Sequence, residues 1–188
     1  MTKGPTDQEE RFGRLYGETG ALYYEHAPRP ELVALVDSLP AASGEPHRAL
    51  DLGCGEGRLS LYLAGRRLQV TAVDIARPGV EKLLGLARHR GLAVEAEVED
   101  AGTMVFPEAA FDLVVAETLL DHLDDPARDH AARGCLRALR PGGLLYAAVF
   151  TTQDPGHLMR TGALSPETGG ELPPGVSETH GAVAHYFA

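Results

Sequence analysis

The sequence predicts an α/β fold, a doubly wound parallel sheet of strand order 3-2-1-4-5, and three observations predict it. An apolar strand at residues 49–52 runs through Gly53, Gly55 and Gly57 straight into an amphipathic helix. Strand-like and helix-like segments then alternate as far as residue 150, the pattern of parallel strands joined by crossover helices. Three of those strands carry a carboxylate at or just beyond their C-terminal ends, Asp51, Asp74 and Asp100. In such a sheet the carboxyl ends of the strands form the ligand crevice.

The elements follow in order. Residues 7–16 place Phe12, Leu15 and Tyr16 on one side of a helix, and residues 30–39 repeat Leu32, Val33, Leu35, Val36 and Leu39 at helical spacing. Ala41 to Pro46 reads as a turn, so residues 1–45 form an N-terminal helical lid ahead of a core at 46–150. After the glycine turn comes a strand at 69–74. A helix then places Val80, Leu83, Leu84 and Ala87 on one face and stops at Gly91. Val94, Ala96 and Val98 alternate with Glu95, Glu97 and Glu99, as an edge strand does, whereas 111–116 and 144–150 are apolar on both faces, as central strands are. A third crossover helix spans about 126–139.

Residues 151–188 are rich in Gly and Pro and show no helical period. A stretch that long without structure is improbable in a compact domain. Strand 144–150 would also lie at an open edge, which invites pairing. The expectation is a shortened form of a longer chain, or a short form whose 144–150 edge a homodimer partner covers.

Composition narrows the function classes. A net charge of −10 argues against a nucleic-acid partner, which would need clustered Lys and Arg. No apolar run reaches membrane-spanning length and no secretory core opens the chain, so neither a membrane partner nor export is expected and the cytoplasm is the expected location. Two cysteines, Cys54 and Cys135, make no disulfide framework.

The glycine turn is a nucleotide-cofactor turn: without Cβ atoms its backbone allows a ligand close approach. A dinucleotide fingerprint would need glycine at 58, where Arg58 stands, and no Gly-Lys-Ser/Thr follows for a P-loop. Asp51 would repel a pyrophosphate and would suit a ligand carrying an amino group and a sulfonium. Asp74, roughly twenty positions on, is placed either to accept both ribose hydroxyls or to cap the next helix. Ile75 follows it, where an adenine ring would pack.

The run Asp51-x-Gly53-x-Gly55-x-Gly57, the acid-ended strands and the later pieces 111–117 and 139–150 together resemble the class I S-adenosylmethionine (SAM) dependent methyltransferases over about residues 48–150. Residues 50–64 and His185-Tyr186-Phe187 resemble the tellurite-resistance type and other small-molecule methyltransferases. The resemblance implies a Rossmann-like core with SAM as cofactor, held by Asp51, Gly53, Cys54, Gly55, Asp74, Ile75, Asp100, Ala101 and Glu117. It implies methyl transfer to a small-molecule acceptor, with Tyr23-Tyr24-Glu25-His26 as a lid over the methionyl end. It also implies antiparallel strands after residue 150 that this chain does not display.

In the loop after the fourth strand, His122 is the candidate general base, with Asp121 and His26 behind it. Asp121, His122, Asp124, Asp125, Asp129 and His130 lack metal-ligand spacing, so no metal is expected. Cys54 has no basic partner nearby in sequence and reads as a small residue in a turn rather than a nucleophile. Two alternatives stay open: a SAM-binding module without turnover, and an NAD-dependent oxidoreductase.

Overall fold

Arg48–Leu52 forms the first strand, β1, because Ala49, Leu50 and Leu52 are buried on both faces of the sheet that it centres. The computed structural model describes residues 7–17, 27–40 and 44–150, with the backbone of 176–179 and 182–185. Tyr23, Tyr24 and His26 lie outside the described residues, as does most of the segment after 150.

Parallel strands β2 (Gln69–Asp74), β3 (Val94–Val98), β4 (Phe111–Glu117) and β5 (Leu139–Ala148) complete a five-stranded sheet of order β3-β2-β1-β4-β5. This is the expected order. Val94, Ala96 and Val98 of β3 are half-buried while its glutamates are exposed, the one-sided pattern of an edge. The chain reverses direction in space at β1, between β2 and β4, which is the topological switch point where such sheets bind ligands.

Two core layers sandwich the sheet. On one face α2 (Pro30–Asp37), α3 (Arg58–Gly65) and α4 (Arg77–Arg90) bury Leu32, Val36, Leu59, Leu63 and Leu83 against Ala49, Val70, Leu113 and Val115. On the other, α5 (Asp125–Ala138) packs Ala131, Cys135 and Ala138 against Leu50, Leu52, Phe111 and Val114. A further helix, α1 (Asp7–Gly17), lies against α4. Asp124 caps α5 by accepting from the Ala127 amide at 3.0 Å, and Gly91 ends α4 in the left-handed region at φ 63°.

The fifth strand differs from its expected bounds. It begins at Leu139 rather than 144, because Pro141-Gly142-Gly143 is absorbed into the strand, with Gly142 at φ 81° and a register irregularity opposite Phe111 and Leu113. Its outer positions are open: Leu145 is 38% exposed, so apolarity on both faces did not mark a central strand here. Among the described residues no strand joins the sheet beyond β5. An antiparallel pair, β6 (Val176–Thr179) and β7 (Ala182–His185), forms a separate sheet, so antiparallel strands do follow residue 150, contrary to the expectation, although they do not extend the five-stranded sheet.

Candidate functional site

The register of the sheet brings the functional carboxylates together. Asp51 pairs with Ala72 on β2 and Val115 on β4, so Asp74 and Glu117 stand two residues further along the neighbouring strands, on the same face as Asp51. All three therefore project at the carboxyl end, toward the α3 side. The glycine turn between β1 and α3 closes the floor.

That turn is held from β2. The Gly53 and Cys54 amides donate to the Val73 carbonyl at 2.8 and 3.0 Å, and the Gly55 amide donates to Asp74 Oδ2 at 2.7 Å. Gly53, Gly55 and Gly57 have φ of 77°, 52° and 88°, which any side chain would strain. Space forbids one as well: a Cβ at Gly57 would lie 2.2 Å from Leu83 Cδ1, and one at Gly55 would lie 2.9 Å from the Tyr16 hydroxyl oxygen. Gly79 has the same constraint, since its Cβ would meet the Gly55 carbonyl at 2.7 Å.

Above the turn lies a continuous cleft of two adjoining cavities that share Tyr16, Gly53, Thr118 and His122. The first is the smaller of the two. It is lined by Val73, Asp74, Ile75, Asp100, Ala101, Leu119 and Leu123, with Gln8 and Phe12 of α1 as its roof. The second is lined by Asp51, Cys54, Gly55, Glu56, Arg58, Glu117 and Phe150, with Ala27 and Arg29 above. Every residue expected to hold the cofactor borders one of the two.

Electrostatics divide the cleft. Among the described residues the first cavity is walled by Asp74, Glu99 and Asp100 and by no Lys or Arg, an environment hostile to a pyrophosphate. Burial raises the Asp74 carboxyl above its ordinary pKa, against the pull of the Ala76 and Gly55 amides that donate to it. Asp74 Oδ1 accepts from the Ala76 amide at 2.8 Å, so the side chain braces the entry to α4, although the N-cap residue itself is Ala76. The carboxylate has about four lone-pair directions, and its backbone donors Gly55, Ala76 and Ile75 do not fill them all.

In the second cavity Asp51 is 2% exposed and accepts from Ser60 Oγ at 2.5 Å. Burial pushes its pKa up to about 6, with the Ser60 hydrogen bond and Arg58 pulling the other way. Burial, with Asp74 and Asp51 nearby, likewise raises the Cys54 thiol well above its usual range, which leaves it inert as a nucleophile.

Glu117 closes the wall. Its Oε1 accepts from Arg58 at 2.7 Å and from Arg29 Nε at 3.4 Å. Arg58 opens α3, where the helix dipole disfavours a cation, so its position reflects this pairing rather than helix preference. Beyond Glu117, Thr118 turns the chain at φ 54°, an unusual backbone state for a β-branched residue, and leans Leu119 over Gly53.

His122 borders both cavities, and its ring meets Phe12 edge-on with 5.3 Å between centroids. Asp121 does not share that position. It is fully buried and its Oδ1 accepts from the Phe150 amide at 2.9 Å, a structural bond rather than an acceptor-facing one. The other acids of that stretch have local partners, Asp125 with Arg128 and Asp129 with Arg133, while His130 Nε2 lies 2.8 Å from the Met104 carbonyl. Among the described residues no group of three or more His, Cys, Asp or Glu could hold a metal ion. Nor is any described helix long and apolar enough to cross a membrane.

Sequence reasoning missed Gln8, Phe12 and Tyr16 as the roof, and Arg29 and Arg58 as partners of Glu117. The helical spacing of Phe12 and Tyr16 was visible, but only the docking of α1 on α4 aims them at the cleft.

Comparison with known proteins adds to this geometry. Residues 49–143 match the family described as methyltransferase domain. A ubiquinone biosynthesis O-methyltransferase of Xanthomonas oryzae pv. oryzae is 38% identical over 108 residues, covering 55% of this chain and 43% of that protein. A 27-O-demethylrifamycin SV methyltransferase of Amycolatopsis mediterranei is 36% identical over 119 residues, covering 62% of this chain and 42% of that protein. The chain thus spans less than half the length of these curated relatives. The crystal structure of a SAM-dependent methyltransferase from Methanosarcina mazei aligns with a TM-score of 0.64 at 27% identity, covering 86% of this chain and 79% of that one.

Proposed function

The chain belongs to the methyltransferase domain family of class I, SAM-dependent enzymes, and from that premise we propose that it transfers a methyl group from SAM to a small-molecule acceptor. The observation that carries the reading is the convergence of Asp51, Asp74 and Asp100 on one cleft around a glycine turn, in walls that suit a cationic nucleoside and not a dinucleotide phosphate. When bound, SAM supplies a methyl group on a positive sulfur, already activated for displacement.

The chain's own residues then divide the work. Asp74 accepts the ribose hydroxyls, Ile75 and Ala101 flank the adenine, and Asp100 receives its amino group. Backbone at Gly53, Cys54 and Gly55 lines the methionyl path, and Asp51 offsets the ligand's positive charge from within a buried site, where charge pairing is strong. Holding nucleophile and methyl in line is the main catalytic task. His122, at the junction of the two cavities, takes the acceptor's proton where one must be lost.

Calorimetry with SAM, S-adenosylhomocysteine (SAH) and NAD is the test: binding of the first two without NAD is expected, and NAD binding alone would transfer the site to oxidoreductase chemistry. His122→Asn should lower kcat by about 100-fold while SAH affinity holds. An unchanged kcat would remove His122 from the reaction, and SAH binding with no transfer to any acceptor would favour a module without turnover.

The exposed side chains of Leu145 on β5 and of Val149 just beyond its end support a homodimer contact along that edge. Light scattering should then give twice the chain mass. A concentration-independent monomer would refute it.

A further inference from the structure

The Glu117 carboxylate is half satisfied. Its side chain is 8% exposed, its Oε1 is shared by Arg58 and Arg29, and its Oε2 is buried with no hydrogen-bond partner among the described residues. A buried charged oxygen without a donor is costly, and such groups in native structures are usually completed by something that binds. The residue lines the second cavity and not the first, so the missing donor belongs to whatever enters beside Asp51, Phe150 and Thr118.

Three carboxylates wall this end of the cleft, Asp51, Glu56 and Glu117; Glu56 is paired with Lys82, which leaves Asp51 and Glu117 for the one ammonium group that SAM brings. Asp51 sits at the root of the glycine turn, two residues before Gly53, with Ser60 as its hydrogen-bond partner. Glu117, counted above among the residues expected to hold the cofactor, is reassigned to the acceptor's side. We propose that Glu117 Oε2 anchors the methyl acceptor through an N–H or O–H donor, so that the substrate class is amines or hydroxyl compounds. This inference rests on the SAM reading of the site. The two guanidinium groups on Oε1 fix the carboxylate's orientation, and the Arg58 bond joins that anchor to the first turn of α3. Acceptors whose methylated atom has no donor to offer gain nothing from it.

The test compares the wild type with Glu117→Gln, which keeps the shape and removes the charge, and Glu117→Asp, which keeps the charge and draws it back by one methylene. Thermal melts establish that the variants fold. Calorimetry measures SAH and 5′-methylthioadenosine, which lacks the amino-acid portion, and labelled methyl transfer from SAM is followed to catechol, ethanolamine and ethanethiol. Both variants should bind SAH and 5′-methylthioadenosine as the wild type does, while kcat/KM for the hydroxyl or amine probe falls by about 30-fold. A loss of about tenfold in SAH affinity with 5′-methylthioadenosine unaffected would assign Oε2 to the cofactor's ammonium and overturn the proposal. So would unaltered transfer in both variants, or a wild type that methylates only the thiol or none of the probes. Failure of the wild type to bind SAH at all would instead remove the SAM reading beneath it.

Discussion

Asp74→Ala is expected to weaken SAM binding by about 1 to 3 kcal/mol, the value of charge-assisted hydrogen bonds to two ribose hydroxyls. The structure adds a second source of loss. The same carboxylate holds the Gly55 and Ala76 amides at 2.7 and 2.8 Å, so the alanine variant also loosens the glycine turn and the start of α4. Asp74→Asn separates the two effects, because its amide oxygen can serve one backbone donor while the charge is gone. Calorimetry with SAM and with adenine alone makes the comparison. Full SAM affinity in the alanine variant would refute the ribose assignment, and equal losses for adenine and SAM would reduce Asp74 to a brace for the turn.

The second large effect concerns Asp51 and pH. Its carboxyl has a pKa of about 6 in the folded chain, against an ordinary value of 3.8, chiefly because it is buried. The folded state therefore binds more protons than the unfolded chain between about pH 4 and pH 6. The stability due to this group is fully present below pH 4 and is lost as pH rises through 6, by about 3 kcal/mol at most. Asp51→Asn should accordingly raise the stability of the ligand-free protein at pH 8 and flatten its pH dependence across that window, read from urea midpoints at pH 4 and pH 8. The same substitution should weaken SAM more than SAH, which has no charge on its sulfur, by about 1 to 2 kcal/mol in a partly screened site. Parallel stability profiles for the two proteins would remove the charge role, and equal losses for the two ligands would confine it to the ammonium group that they share. A cation entering beside Asp51 also lowers its pKa, so SAM affinity should climb as pH passes upward through 6.

Burial explains why a polar residue is retained at a position that packing alone would give to an apolar one. Ser60 stands on the buried face of α3, where its neighbours Leu59, Leu61 and Leu63 are apolar, and it donates to Asp51 at 2.5 Å. Glu56, only 4% exposed, pairs with Lys82 of α4. Polar groups concentrate in this part of the core because the sheet ends there and a ligand, rather than another layer of side chains, completes the packing.

The chemistry of the cleft was readable where a single residue type has few alternatives. Glycine at 53, 55 and 57 announced a turn with positive φ, and acids at the ends of apolar strands announced a polar crevice, because burying a lone carboxylate serves no packing purpose. Asp121 shows the limit of that logic. In sequence it is as acidic as Asp100 and adjoins His122, yet it is turned inward to accept from the Phe150 amide. Nothing local distinguishes a carboxylate that faces a ligand from one that satisfies a distant backbone donor.

By itself the sequence determined the order of strands and helices from β1 to β5, the glycine turn, and the presence of carboxylates at three strand ends. Those properties follow from short-range periodicity and backbone preference, which act within one turn or one strand. Only the tertiary structure decided which residues roof and wall the cleft: Phe12 and Tyr16 through the seating of α1 on α4, Arg29 and Arg58 through Glu117, and the early start of β5 through its pairing with β4. These depend on contacts between residues far apart in the chain, such as Arg29 and Glu117, and such pairings come into being only when the sheet assembles and brings the separate ends together.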